Sequence, residues 1–140
     1  MQVLGKIWKD GKFWVIDCPT IDASTQGFTK KEALSMMVDL VQTMVNDPDC
    51  EIEISSVGNV FSMSFKNVVP ILSLMVKRLR KKSKRTLLET AKEMGIKNHN
   101  SVYQYETGKH APGFEKLDQL LSAMGYELVV SIKAEKRKVG

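Results

Sequence analysis

Three short apolar stripes between residues 86 and 125 are each closed by a glycine, and this punctuation constrains the fold more than any other feature. Thr86, with Glu89 three residues on, fits a capping box: the hydroxyl accepts from a backbone N–H while the acid reaches back. Leu88, Ala91 and Met94 are then expected to face inward, and Gly95 can end the helix by taking the left-handed conformation. Ile96 is placed to plug the corner. Another helix can start near Asn98 or Asn100, with Val102 and Tyr105 inward and Gly108 at its end. Pro112 punctuates the loop that follows. Phe114, Leu117, Leu120, Leu121 and Met124 stripe a last helix, closed by Gly125. Upstream, Asn67 and Pro70 resemble a helix start, followed by a stripe of Leu72, Met75, Val76 and Leu79.

The first 66 residues read differently. Two short apolar-rich runs, QVLGKIWK from Gln2 and KFWVID from Lys12, flank Asp10-Gly11, a pair suited to a two-residue hairpin turn. Pro19 breaks the second run, and ASTQG from Ala23 can form a third short strand. Thr29 and Glu32 make another capping box, and Leu34, Met37, Val38, Val41, Met44 and Val45 repeat at helical spacing. Pro48 follows that helix. EIEISSV then alternates from Glu51, Gly58-Asn59 makes a turn, and VFSMSF returns from Val60. The expected order is β-β-(β)-α-β-β, followed by helices. The eight methionines, Met36, Met37 and Met44 among them, read as core gap-fillers.

Charge divides the chain at the same place. Residues 1–66 hold six Lys/Arg against nine Asp/Glu, a net of −3; residues 67–140 hold fifteen against seven, a net of +8. A basic half is drawn to polyphosphate by counterion release, and an acidic half is not. Seven of the nine residues from Lys77 to Arg85 are basic, a run suited either to a helix C-terminus or to phosphate. No apolar run approaches a membrane span, and charges interrupt the N-terminal apolar residues, so a cytoplasmic location without membrane contact is expected. Cys18 and Cys50 lack metal-ligand or redox spacing and read as idle thiols.

Two short helices joined by a glycine-containing turn inside a bundle read as a helix-turn-helix. The spacing of Leu88, Ala91, Met94-Gly95, Ser101-Val102, Tyr105-Glu106, Gly108-Lys109, Pro112, Leu117 and Leu121 resembles the Cro and phage-repressor type over residues 72–125. The turn from Ile96 to Asn100 is about one residue longer than usual there. The resemblance implies that the third bundle helix enters the DNA major groove, where base edges are read by donors and acceptors. Its expected reading groups are Asn98, His99, Asn100, Ser101, Tyr103 and Gln104. Thr107 and Lys109, just past the helix end, match positions that touch phosphate in that family. Lys84, Arg85 and Thr86 open the preceding helix, also near phosphate. Glu106 is expected to brace the bundle, since an acid would repel phosphate. Residues 126–133 (YELVVSIK) read as a strand that needs a partner; a second copy would supply it and make a symmetric dimer or higher homo-oligomer.

Residues 13–45 resemble the N-terminal domain of HicB antitoxins. Trp14 on the second strand, Asp17, Pro19, Thr25-Gln26-Gly27, Thr29 and Glu32-Ala33 carry the likeness, while Cys18-Pro19-Thr20 departs from that family's usual turn. The resemblance implies a partial, catalytically inert ribonuclease H-like fold that covers a HicA-like ribonuclease toxin. A metal-dependent nuclease would need several converging carboxylates. Asp17 ends a strand, Asp22 lies in a loop and Asp39 has no helical neighbour acid, so no catalytic residue and no cofactor is expected. Cys18 has no evident histidine partner, since His99 and His110 both fall in the other half. The expected class is therefore α+β. It comprises a HicB-like toxin-binding domain over residues 1–66 and a double-stranded-DNA-binding, helix-turn-helix domain with a dimerising strand over 67–133. A basic tail follows over 134–140. The competing expectation is a stand-alone transcription regulator whose first domain senses a ligand or only oligomerises.

Overall fold

The computed structural model describes residues 1–135. Strands β1 (Gln2–Asp10) and β2 (Phe13–Cys18) form the first hairpin, a 3-10 turn follows at Pro19–Ile21, and β3 is Ala23–Gly27. Helix α1 (Lys30–Met44) precedes a second hairpin of β4 (Ile52–Val57) and β5 (Val60–Phe65). Four helices complete the described chain: α2 (Val69–Lys82), α3 (Leu87–Glu93), α4 (Asn100–Thr107) and α5 (Phe114–Ala123). The fold is α+β, with an all-antiparallel sheet ordered β3-β2-β1-β5-β4 and a helical second half.

The first turn sits one residue later than Asp10-Gly11. Asp10 pairs with Phe13, so the loop is Gly11-Lys12, and only Gly11 takes a positive φ, of 59°. A glycine at the first central position alone suits a II′-type hairpin.

Alternation sorts the strands into two faces. Val3, Ile7, Ile16, Phe61 and Met63 are buried on one, where Ala33, Met37 and Val41 of α1 cover them. Leu34, Met44 and Val45, expected on the inward stripe, are half-buried at its margins. The Thr29 hydroxyl accepts from Glu32 N at 3.0 Å, which fixes where α1 begins. Gly27 lets α1 cross close: a Cβ there would stand 2.6 Å from Ala33 N, a backbone atom that cannot step aside. The Thr-Gln-Gly stretch thus has a packing cause in this chain.

Helix α2 buries more than one stripe. Besides Met75, Val76 and Leu79, it encloses Ile71, Ser73 and Leu74. The reason is its position, against the 3-10 turn of the sheet half on one side and α4 on the other. Arg78 donates to the carbonyls of Ile21 and Asp22 at 3.4 and 2.6 Å, and both Arg78 and Lys82 pair with the Asp22 carboxylate, at 3.6 and 3.3 Å. Only Lys66, Asn67 and Val68 separate β5 from α2, and Asn67 Oδ1 accepts from Val69 N at 3.2 Å.

Two apolar expectations fail. Leu88 is 47% exposed; Leu87, Thr90, Ala91 and Met94 form the inward face of α3 instead, with Thr90 fully buried and its hydroxyl donating to Thr86 O at 2.9 Å. Thr86 caps the helix, so its first residue, Leu87, sets the phase. Phe114 opens α5 and is 72% exposed, whereas Leu117, Leu120, Leu121 and Met124 are buried. Residues 126–133 join no ladder among the described residues, for want of any strand beside them, although Tyr126 and Leu128 pack on the core. Of the expected basic tail, residues 136–140 lie outside the described residues.

Candidate nucleic-acid interface

The interface is built from α3, α4 and the turns around them. Thr86 Oγ1 accepts from Glu89 N at 3.1 Å and donates to the Glu89 carboxylate at 3.1 Å, which anchors the start of α3. Gly95, with φ of 72°, turns the chain after α3, and Ile96 is half-buried at the corner. Asn98 Oδ1 then accepts from Asn100 N at 2.9 Å, so Asn98 caps the start of α4 from two residues back. The turn from Met94 to His99 is long enough to hold both devices. Gly108, with φ of 76°, ends α4.

Within α4, fully buried Val102 and half-buried Tyr105 face the bundle. Helical spacing places Asn100, Tyr103, Gln104 and Thr107 together on the other side. Asn100, Tyr103 and Thr107 are exposed, Tyr103 at 55%, and Ser101 and Gln104 are half-exposed. Asn98 and His99 stand exposed before the helix. The Asn98 carbonyl is occupied by the cap, which leaves its NH2 group free to read or bind. Thr107 Oγ1 donates to Gln104 O at 3.2 Å, and exposed Lys109 follows, its N–H donating to the same carbonyl at 3.1 Å. The structure therefore brings together Asn100, Ser101, Tyr103, Gln104, Thr107 and Lys109 as one polar surface along α4 and just past its end.

The basic run does not act as one strip. Arg80 faces inward: its guanidinium grips both Glu106 oxygens, with its Nε at 3.0 and 3.1 Å, and also donates to Arg85 O at 2.8 Å. The two side chains are only 14% and 4% exposed. Glu106 thus braces α4 against α2, and Arg80 ties that pair to the turn before α3. Arg85, expected at phosphate, instead donates to Ala123 O and pairs with Glu93 at 3.5 Å. Arg85 thereby pins α5 and α3 to the turn. Lys84 is exposed at φ of 58° in this turn, and with Lys77 and Lys81 it forms no ion pair among the described residues. Sequence reasoning passed over Lys97, which is exposed in the turn before α4; its place just ahead of that helix was the available signal. It also missed the Arg80 connection, which joins residues 26 apart.

The remaining candidate chemistry is quiet. Cys18 and Cys50 are both free and buried. Burial pushes the Cys18 thiol up to about 11 and raises Cys50 as well, so neither is a ready nucleophile at neutral pH. Among the described residues no group of three His, Cys, Asp or Glu could hold a metal ion, and no helix is long and apolar enough to cross a membrane.

Residues 76–130 match the family described as Helix-turn-helix, of the Cro/C1 type. The matched segment runs from late α2 through α5 and holds every expected DNA-contact residue. No curated protein matches the chain. The second half is a helix-turn-helix, and the match supports a DNA-binding transcription regulator.

Proposed function

We propose that this chain is a HicB-type antitoxin. Its sheet half binds and neutralises a HicA-like ribonuclease toxin, and its helix-turn-helix, as a homodimer in the cytoplasm, represses its own operon at an inverted repeat. The half with the sheet is read as a reduced, inert ribonuclease H-like fold without catalytic residues. One observation carries the two-partner reading: besides the polar face of α4 the chain presents a separate surface with exposed apolar side chains. The sheet face turned away from α1 exposes Leu4 (58%), Trp8, Val60 and Val57 (86%). Exposed apolar side chains set among Gln2, Lys6, Ser62 and Ser64 on one sheet face suit a protein partner. The net −3 of residues 1–66 suits a basic one, because complementary charge speeds encounter.

A stand-alone regulator that senses a small ligand is the second reading, and a cleft favours it. A space of about 320 Å³ lies where α1, α2 and α4 meet, lined by Met44, Val45, Pro70, Leu74, Lys77 and Thr107. A ligand there would touch the end of the reading helix directly.

Affinity capture of the tagged full chain from its native host separates these. The expected result is a small basic protein that arrests growth when expressed alone and is harmless when co-expressed, together with DNA from upstream of this gene. Captured DNA with a harmless or absent protein partner would transfer the case to the regulator. Failure to retain any specific DNA would overturn both.

A further inference from the structure

The last described residues carry a pattern that the folded chain uses only in part. Tyr126 and Leu128 are half-buried against the core, while Val130 and Ile132, at the same parity, stand 58% and 94% exposed. Glu127, Val129, Ser131 and Lys133 take the other parity, and all are exposed. A period of two with Tyr, Leu, Val and Ile on one side is that of a strand with one apolar face. Among the described residues, 127–135 makes no strand pairing and no backbone hydrogen bond. Its N–H and C=O groups form an open edge, and half of its apolar face overhangs the bundle.

We propose that residues 126–134 of two copies pair antiparallel about a two-fold axis at Val130, so that each Val130 lies opposite its counterpart. This rests on the dimer in the reading above and adds its surface and register. Two features of the segment select the occupant and the alignment. The apolar parity is self-complementary. Even-numbered residues oppose even-numbered residues, so the overhanging Ile132 of one copy is laid beside Leu128 of the other, which is seated on its own bundle. The charges then choose among the possible axes. With the axis at Val130, Glu127 stands opposite the partner's Lys133, twice by symmetry. An axis at Val129 would oppose Glu127 to Ser131 and lose both pairs. An axis at Ser131 would oppose Glu127 to Glu135, setting like charges face to face, which destabilises a ladder.

The test uses the full chain in the absence of DNA and of any toxin, so its outcome is independent of the capture experiment. Val130→Cys and Val129→Cys are oxidised mildly in parallel; the native thiols are both buried. Directly opposed strand positions lie within disulfide reach, a Cα separation of about 4.4–6.8 Å. Val130→Cys is expected to give covalent dimer several-fold faster than Val129→Cys. In sedimentation, Glu127→Lys is expected to weaken the dimer by about tenfold, since attraction becomes repulsion at two symmetric sites. Adding Lys133→Glu to the same chain should restore it. A chain that stays monomeric at all concentrations overturns the proposal. So does faster cross-linking at Val129, or a double swap that fails to rescue, as either would place another register or another strand on this edge.

Discussion

The sheet half and the helical half of this protein arrange charge in opposite ways. The ion pair internal to the sheet half among the described residues, Lys66 with Glu51, is 75% and 68% exposed at its two side chains. The helical half encloses Arg80 and Glu106. Both halves leave large apolar side chains open to solvent, Leu4, Phe28, Val57 and Val60 in one and Leu88, Phe114 and Ile132 in the other, while the outward side of α4 is polar. The contrast teaches that net charge per half is a poor guide to what each charge does. A half with a net of +8 suggests a broad phosphate-binding strip. Within the run from Lys77 to Arg85, Arg80 and Arg85 hold the bundle, Arg78 and Lys82 hold the sheet corner, and Lys77, Lys81 and Lys84 form no ion pair among the described residues.

The sharpest way to break this contrast is at its buried pair. Glu106→Ala removes one partner and leaves the Arg80 guanidinium in a site with little access to water. Breaking a buried pair in this way costs about 3–5 kcal/mol, a large share of the stability of an ordinary domain. Urea denaturation should show the midpoint fall accordingly, with amides of α4 exchanging earliest. Lys66→Ala, at the exposed pair, should move the midpoint by less than about 1 kcal/mol. Equal effects at the two pairs would mean that the bundle does not depend on its enclosed charges.

Local signals were legible in the sequence where they act over a few residues. Thr29 and Thr86 announced two helix starts because a hydroxyl satisfies the free backbone N–H three residues on, and both hydroxyl caps are present, whereas neither acid reaches back to its cap's N–H among the described hydrogen bonds. The third strand and the glycine stops were legible for the same reason. Phase was not: an apolar pattern in a seven-residue helix accommodates Leu87 or Leu88, and the cap that decides between them acts one residue at a time. The first turn slipped by one for a like cause. Long-range partners were illegible altogether. Nothing near Arg85 points to the carbonyl of Ala123, and nothing near Arg80 points to Glu106. At the candidate site, the outward polar residues of α4 could be read from its period, but not which cations remained free beside them.

On the candidate surface around α4, two substitutions separate base contact from backbone contact. Gln104→Ala on an operator fragment should cost about 1–3 kcal/mol and relax base choice at one position. Lys109→Ala should weaken all sequences alike and reduce the slope of log affinity against log salt by about one. Binding titrations over a range of salt, on operator and on scrambled DNA, distinguish them. If Gln104→Ala weakened both DNAs equally, the half-exposed amide would be a structural group, and the polar side of α4 would not be the part that reads.

A modest effect on stability is expected where the two halves meet. Asp22 takes the left-handed conformation, at φ of 49°, just after the 3-10 turn, and presents its carboxylate to Arg78 and Lys82. All three side chains are between 35% and 51% exposed. Solvent screens such pairs, so each contributes about 0.2–1 kcal/mol, and Asp22→Ala should lower stability by no more than about 1–2 kcal/mol over both. Its larger consequence is electrostatic. Without the carboxylate, Lys82 loses its counter-charge beside the α2–α3 turn, whereas Arg78 stays tethered by the carbonyls of residues 21 and 22. Nonspecific DNA affinity at low salt should therefore rise modestly while operator preference falls, since added positive charge strengthens binding to every sequence. A loss of nonspecific affinity would show that Asp22 positions the bundle rather than restraining its charge, and the two halves would then be coupled through geometry alone.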